Sequence, residues 1–229
     1  MNRLVQEQRP STAPTGGVSP PSTGSLRQLR RTLRSVRRAL PDRCQRAHAR
    51  CLARLLRRDI AFQRARRIAA YWPSDGELDP RALIRAALAR GKVAYLPVLR
   101  RGHDGEGATR LWFVRFSPDE RLHPNRFGIP EPKARGRHLR PARHLDLLLV
   151  PVVGFDSAAN RIGMGGGYYD RTLAYLLRRR HWRRPRLVGI AHECQRVARI
   201  EPRPWDVPLD AVATERRLYI RPRRAVPIA

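Results

Sequence analysis

The sequence predicts an α/β fold built on a mixed, mostly parallel sheet. Three observations carry that expectation. Short apolar runs of strand length alternate with amphipathic helical stretches along the chain. The stretch from Arg67 to Pro97 reads as strand, helix and strand, the unit that joins parallel neighbours. The run Leu147-Leu148-Leu149-Val150 reads as a strand buried inside the sheet.

The elements follow in chain order. Residues 1–24 are rich in Pro, Ser, Thr and Gly and carry no apolar period, so they read as a disordered tail. They also lack the apolar core of a signal peptide. Residues 25–221 read as one domain, and 222–229 as a flexible C-terminal tail. Leu26, Leu29, Leu33, Val36 and Leu40 mark one apolar helical stripe, with Arg27, Arg30, Arg31, Arg34, Arg37 and Arg38 on the other faces. Pro41 stops this helix and Asp42 is placed to cap the next. That second helix carries Cys44, His48 and Cys51 at near-helical spacing. With no fourth ligand close in sequence, they read as ordinary helix positions, and His192 and Cys194 as structural residues.

Arg67 to Trp72 reads as the first strand, followed by the turn Pro73-Ser74-Asp75-Gly76-Glu77. Asp79-Pro80 has the form of a helix start, and Gly91 of its end. Strands are expected at 92–97, 111–116, 145–150 and 186–191, with short pieces at 211–213 and 217–220. Residues 100–110 read as a loop and 126–132 as an extended segment fixed by proline. A helix is expected from the glycine-rich loop to about Arg180.

Composition narrows the function classes. The chain has 229 residues and 41% are apolar, enough for one core. Nowhere do eighteen apolar residues run together, so no transmembrane helix is expected. Three cysteines are too few for a disulfide framework and suit a reduced, cytoplasmic setting. The formal charge of +29 suggests nucleic acid, and an arginine-rich nucleic-acid-binding protein is one reading. Against it, the arginines are spread along the chain and only Lys92 and Lys133 are lysine, which reads as compositional bias.

The chemistry concentrates in Arg161-Ile162-Gly163-Met164-Gly165-Gly166-Gly167-Tyr168-Tyr169-Asp170. A strand precedes it and a helix follows. Glycines let a backbone come close to an anion, and free N–H groups with a helix N-terminus favour phosphate. Asp170 adds a carboxylate able to hold a divalent cation. The spacing is not a dinucleotide fingerprint, because the third glycine would fall at Tyr168. It is not a P-loop either, because the chain's only Gly-Lys is Gly91-Lys92-Val93.

Several segments together resemble the 5-formyltetrahydrofolate cyclo-ligase, or methenyltetrahydrofolate synthetase, family. They are Asp75-Gly76-Glu77-Leu78-Asp79, Phe127-Gly128-Ile129-Pro130-Glu131-Pro132, Val150-Pro151, Gly154-Phe155-Asp156, the glycine block, Ala191-His192, Trp205-Asp206-Val207-Pro208-Leu209-Asp210 and Thr214-Glu215. The likeness runs from about residue 26 to 220. It implies a fold similar to the NagB/RpiA-like three-layer sandwich, and an ATP-dependent closure of 5-formyltetrahydrofolate to 5,10-methenyltetrahydrofolate. The formyl oxygen is phosphorylated, N10 closes the ring, and no covalent enzyme nucleophile is needed.

By the same resemblance, ATP is held by Arg161, Ile162, Gly163, Met164, Gly165, Gly166, Gly167, Tyr168 and Tyr169, with Arg27 and Arg30 from the first helix. The folate meets Trp72, Glu77 and residues Met164, Gly165, Gly166, Gly167 and Tyr168. Mg²⁺ falls to Asp170 and Asp206. A monomer is implied, with no membrane and no specific nucleic acid. Many relatives carry basic residues where this chain has Met164 and Gly166. The N-terminal arginine pattern is also displaced by one residue, which favours Arg30 over Arg27. Plainer roles stand beside these: Asp170 as a helix-start carboxylate, Asp206 as a turn cap, Glu77 as a solvated turn residue, Trp72 as core. A relative that kept the fold and lost catalysis is the remaining alternative.

Overall fold

The structure is a computed structural model that describes residues 23–99, 110–133, 138–178 and 184–222. The expected tails lie outside these residues except at their inner ends, as does most of the 100–110 loop. The first helix, α1, spans Thr23–Arg38 and so begins two residues inside the expected tail. Helices α2 (Asp42–Arg57) and α3 (Ile60–Arg64) follow. Then come strand β1 (Arg67–Ala69), helix α4 (Arg81–Leu88) and strands β2 (Val93–Leu99) and β3 (Leu111–Arg115). A small ribbon joins β4 (His123–Pro124) to β5 (Pro130–Glu131). Strand β6 (Leu147–Pro151) leads into a second ribbon of β7 (Gly154–Phe155) and β8 (Arg161–Ile162). Helix α5 (Tyr168–Leu173) and strands β9 (Arg186–Ile190), β10 (Ala211–Ala213) and β11 (Leu218–Ile220) complete the order.

One seven-stranded sheet runs β11-β10-β9-β6-β1-β2-β3. The pairs β1–β2, β1–β6, β6–β9 and β9–β10 are parallel, and both edge strands are antiparallel to their neighbours. This is the mixed, mostly parallel sheet the sequence predicts. Alternate side chains of β6 feed two cores. Leu147 and Leu149 pack with Ile68 against Leu52 and Leu56 of α2, Phe62 of α3 and Leu83 of α4. Leu148 and Val150 pack on the other face with Phe155, Leu173 and Val207. Helices therefore flank both faces.

Local expectations needed four corrections. Pro41 is the N-cap of α2, so Asp42 lies in the first turn and not at the cap. The helix after the glycine loop is short: α5 ends at Leu173 and continues as a 3₁₀ turn over Ala174–Leu177. The first strand closes at Ala69, before Trp72. The stripe of α1 is also shifted. Leu26, Leu29 and Leu33 pack with Val153, Ile162 and Ile200, while Val36 is 40% exposed and the next inward position is Arg37. Arg30, Arg34, Arg37 and Arg38 bond to the protein, so four of the six arginines beside the apolar stripe have partners within the fold.

Candidate active site

Chain direction places a cavity in this sheet. From β1 the chain moves one way to β2, and from β6 the other way to β9. The connections that leave the carboxyl ends of β1 and β6 therefore run in opposite directions, which opens a crevice at the switch point. A cavity of about 1170 Å³ lies there, lined by Tyr71 and Trp72 after β1, by Val150 and Pro151 at the end of β6, and by Pro97 and Leu99 of β2. Arg30 and Arg34 of α1 close one side.

The first wall is the turn Ser74–Glu77, and it is heavily tied. Gly76 has φ +73°, and a Cβ there would stand 3.2 Å from the Arg37 carbonyl oxygen. Glycine thus lets the turn lie against the backbone of α1. Arg34 Nε and Arg37 Nη2 each donate to Asp75 Oδ2 at 2.8 Å, and Arg38 Nε donates to Oδ1. Arg37 Nε also donates to the Asp75 carbonyl at 2.8 Å. Burial raises the pKa of Asp75, but the hydrogen bonds from Arg38, Arg34 and Arg37 outweigh it and bring it to about 2. Arg37 is fully buried, and its Nη2 lies 3.7 Å from Glu77 Oε1.

Glu77 lines the cavity and accepts the Ser74 N–H at 3.2 Å. Desolvation pushes its pKa up, opposed by the Arg37 charge. It is a nearly dry carboxylate facing the cavity. Tyr169 lies across from it, with its hydroxyl pushed well up by burial and then by the Glu77 charge. Trp72 lines the same wall, edge-on to Phe116 at 6.2 Å, with Arg81 5.1 Å above its ring.

The second wall is the glycine loop. Gly165 adopts φ +102°, a conformation closed to other residues without strain, so the loop can fold sharply between β8 and α5. Arg30 Nε donates to the Gly163 carbonyl at 2.8 Å, and Arg171 Nη2 to the Gly166 carbonyl at 2.6 Å. Among the described residues, the N–H groups of Met164, Gly165 and Gly166 donate no hydrogen bond. They are available to an anion. Helix α5 adds little dipole, since it runs only Tyr168–Leu173.

Most of the expected site residues converge here. Arg30, Trp72, Glu77, Arg161, Ile162, Gly163, Met164, Gly165, Gly166, Gly167, Tyr168, Tyr169, Asp170 and Asp206 all line the cavity. Arg27 does not: it is exposed and outside the lining, and Arg34, one helical turn beyond Arg30, occupies the place a second arginine was expected to fill. Arg161 is also more tied than a phosphate clamp would be. Its guanidinium donates to the Val207 carbonyl and to Asp170 Oδ1. Asp170 Oδ1 further accepts the Val207 N–H at 3.1 Å, and Asp206 Oδ2 caps its own turn by accepting the Arg203 N–H at 2.8 Å. Each carboxylate keeps its other oxygen outside these bonds.

Three participants escaped the sequence reading. Arg34 is one of six arginines beside the apolar stripe of α1, and nothing local in the sequence sets it apart. Phe127 is 57% exposed, lines the cavity and meets Tyr168 edge-on at 6.2 Å, with Arg126 stacked over it at 4.8 Å. Trp205 is 61% exposed beside Arg203, also on the lining. The signal available in the sequence was an aromatic within two residues of an arginine in a proline-containing segment; its exposure is visible only in the structure.

Comparison with known proteins identifies the family. Residues 22–215 match the model of the 5-formyltetrahydrofolate cyclo-ligase family. The 5-formyltetrahydrofolate cyclo-ligase of Haemophilus influenzae is 36% identical over 192 residues, covering 82% of this chain and 96% of that protein. The Escherichia coli protein of the same name is 40% identical over 157 residues, covering 68% and 81%. The NMR structure of Aquifex aeolicus 5,10-methenyltetrahydrofolate synthetase superposes with a TM-score of 0.70 at 27% identity, covering 88% of this chain and 96% of that one.

Proposed function

Because the chain belongs to the 5-formyltetrahydrofolate cyclo-ligase family, we propose that the two walls of its cavity divide the two substrates of that reaction. The protein is an ATP-dependent ligase that converts 5-formyltetrahydrofolate to 5,10-methenyltetrahydrofolate. The observation that carries the division is one cavity with Glu77 on one wall and the glycine loop on the other, Arg30 bonded to that loop.

ATP phosphates rest on the glycine loop. The N–H groups of Met164, Gly165 and Gly166 meet phosphate oxygens, and Arg30 and Arg34 supply positive charge from α1. This compensates for the lack of a basic residue within the loop itself. The pterin lies against Trp72 and Tyr169, and Glu77 accepts a hydrogen bond from it. A carboxylate that is already dry loses little further solvation when folate covers it.

Asp170 and Asp206 are the residues that would hold Mg²⁺. Two carboxylates on one cavity, each with an oxygen outside its structural bonds, fit an ion that takes one or two carboxylates beside phosphate oxygens. When bound, it supplies neutralisation of phosphate charge.

The chemistry then needs only positioning. The formyl oxygen on N5 attacks the γ-phosphorus of ATP, and an O–P bond forms as the bond to ADP breaks. N10 bonds to the activated formyl carbon. The C–O bond breaks, phosphate leaves with its electron pair, N10 loses its proton, and the cyclic methenyl cation remains. Arg30 and the loop N–H groups hold the phosphoryl oxygens through transfer and departure, while Trp72 and Tyr169 keep N10 near the carbon.

The reading extends to a monomer in the cytoplasm, where the three free cysteines stay reduced. No described helix is long and apolar enough to cross a membrane. The test is absorbance of the methenyl product on mixing the protein, 5-formyltetrahydrofolate and Mg-ATP. Product is expected only with ATP present, and Arg30→Ala is expected to raise the KM for ATP about tenfold or more, a loss of one charge-assisted contact. Unchanged ATP kinetics in Arg30→Ala would remove that arginine from the site.

A further inference from the structure

His48 on α2, His192 just after β9 and Glu215 just after β10 converge, with one ligand atom from each lying within 4.8 Å of the others. None of them lines the substrate cavity. Sequence spacing could not find this group, because it joins positions far apart in the chain. His48 Nδ1 and His192 Nδ1 are 2.9 Å apart, and His48 Nδ1 is 3.8 Å from Glu215 Oε1.

Two of the three groups are aimed from behind. His192 Nε2 lies 3.2 Å from the Gly76 carbonyl oxygen, which can only accept, so this nitrogen carries the proton. That leaves the His192 Nδ1 lone pair directed at His48. Glu215 Oε2 accepts the Glu193 N–H at 3.0 Å, which turns Oε1 toward His48. A backbone carbonyl on the far nitrogen of a histidine is the usual support for a metal-binding imidazole. His192 is fully buried, and with its proton held on Nε2 by the Gly76 carbonyl its Nδ1 is unprotonated, as a ligand atom must be.

We propose that His48, His192 and Glu215 form a binding site for a divalent late transition metal ion of the zinc class, separate from the ATP-binding cavity. Two imidazole nitrogens and one carboxylate oxygen make a three-ligand set, and the side chain of His48, 24% exposed, leaves a fourth position toward solvent. Ligands at about 2.0–2.1 Å in tetrahedral geometry stand roughly 3.3–3.4 Å apart, so the two imidazole nitrogens part by a few tenths of an ångström, Glu215 closes on His48 by a similar amount, and the third pair, within 4.8 Å, closes by up to about 1.4 Å. The His48 Nδ1 proton gives way and that ring keeps its proton on Nε2. Magnesium and calcium prefer all-oxygen sets, so this site does not compete for the ion that accompanies ATP. The ion would tie α2 to the segments after β9 and β10. Through His192 it would also firm the hydrogen bond to Gly76, in the turn that carries Glu77.

The competing reading is a plain hydrogen bond between the histidines. Metal-stripped protein is titrated calorimetrically with Zn²⁺ alone, without ATP, Mg²⁺ or folate, and its melting temperature is followed. One saturable site is expected, together with a raised melting temperature. Affinity should fall at least tenfold in His48→Ala and, independently, in Glu215→Gln. The double variant Cys44→Ser/Cys51→Ser should bind as the natural chain does, since those thiols flank His48 on α2 without belonging to the set. Absence of saturable binding overturns the proposal. So does binding that survives both His48→Ala and Glu215→Gln, or that disappears only with the two thiols.

Discussion

The turn Ser74–Glu77 and the loop Gly163–Gly167 face the same cavity but are held very differently. Three arginines reach Asp75, His192 reaches Gly76, and Ser74 holds Glu77. The glycine loop has Arg30 on Gly163 and Arg171 on Gly166, while Met164 stays 56% exposed. One wall is fixed by buried charge before any ligand arrives. The other keeps its N–H groups unspent. A rigid pterin gains from a wall formed in advance, since less ordering is left to binding. Phosphate needs donors that have no protein partner.

Breaking the tied wall should have the largest effect. Arg37→Ala leaves Asp75 and Glu77 without their buried cation. Removing one partner of a buried pair costs about 3–5 kcal/mol, and denaturant unfolding should show a loss of that size. A loss under about 1 kcal/mol would mean that Arg37 is not what holds the turn, leaving it to Arg34, Arg38 and the backbone.

On the open wall, Asp170→Asn should leave folding nearly intact, because the amide oxygen can still accept from Val207 and Arg161. Turnover should drop on the order of 10²–10³. Natural turnover in this variant at limiting Mg²⁺ would remove the metal role from Asp170.

Acid separates the walls more finely. Asp75 has a folded pKa of about 2 against an ordinary 3.8. Its contribution, about 2 kcal/mol, is present above the unfolded value and is lost as pH falls through the folded one. Between about pH 4 and pH 2 the natural chain should therefore lose stability more steeply than Asp75→Asn. Parallel curves would mean that the arginines do not hold this carboxylate.

The smallest effect belongs to Arg27. It is exposed and outside the cavity lining, so Arg27→Ala should change the KM for ATP by no more than about twofold. A tenfold rise would place Arg27 on the phosphates.

The sequence made the open wall legible and left the tied wall obscure. The glycine block sits between a strand and a helix, and its chemistry is local, so residue order alone exposes it. Arg37 is the reverse case. Helical period points it inward, charge argues outward, and the deciding partner, Asp75, lies 38 positions away. The meeting of His48 with His192, 144 positions apart, was hidden for the same reason. Ribbons of two-residue strands, such as β7 with β8, are too short to show a period. The long apolar run of β6 and the βαβ order carried the sheet because burial on both faces leaves a plain signature.

Ligand affinities measured separately in Arg30→Ala and Glu77→Gln test the division of the two walls most directly. Calorimetric titration with Mg-ATP alone, and with 5-formyltetrahydrofolate alone, gives four values to set against the natural chain. Arg30→Ala should lose about tenfold or more in ATP affinity and keep its folate affinity. Glu77→Gln should lose folate affinity by a similar factor and keep ATP, one buried charged hydrogen bond being worth about 1.5–3 kcal/mol. Equal loss of both ligands in both variants, or the opposite pairing, would contradict the account.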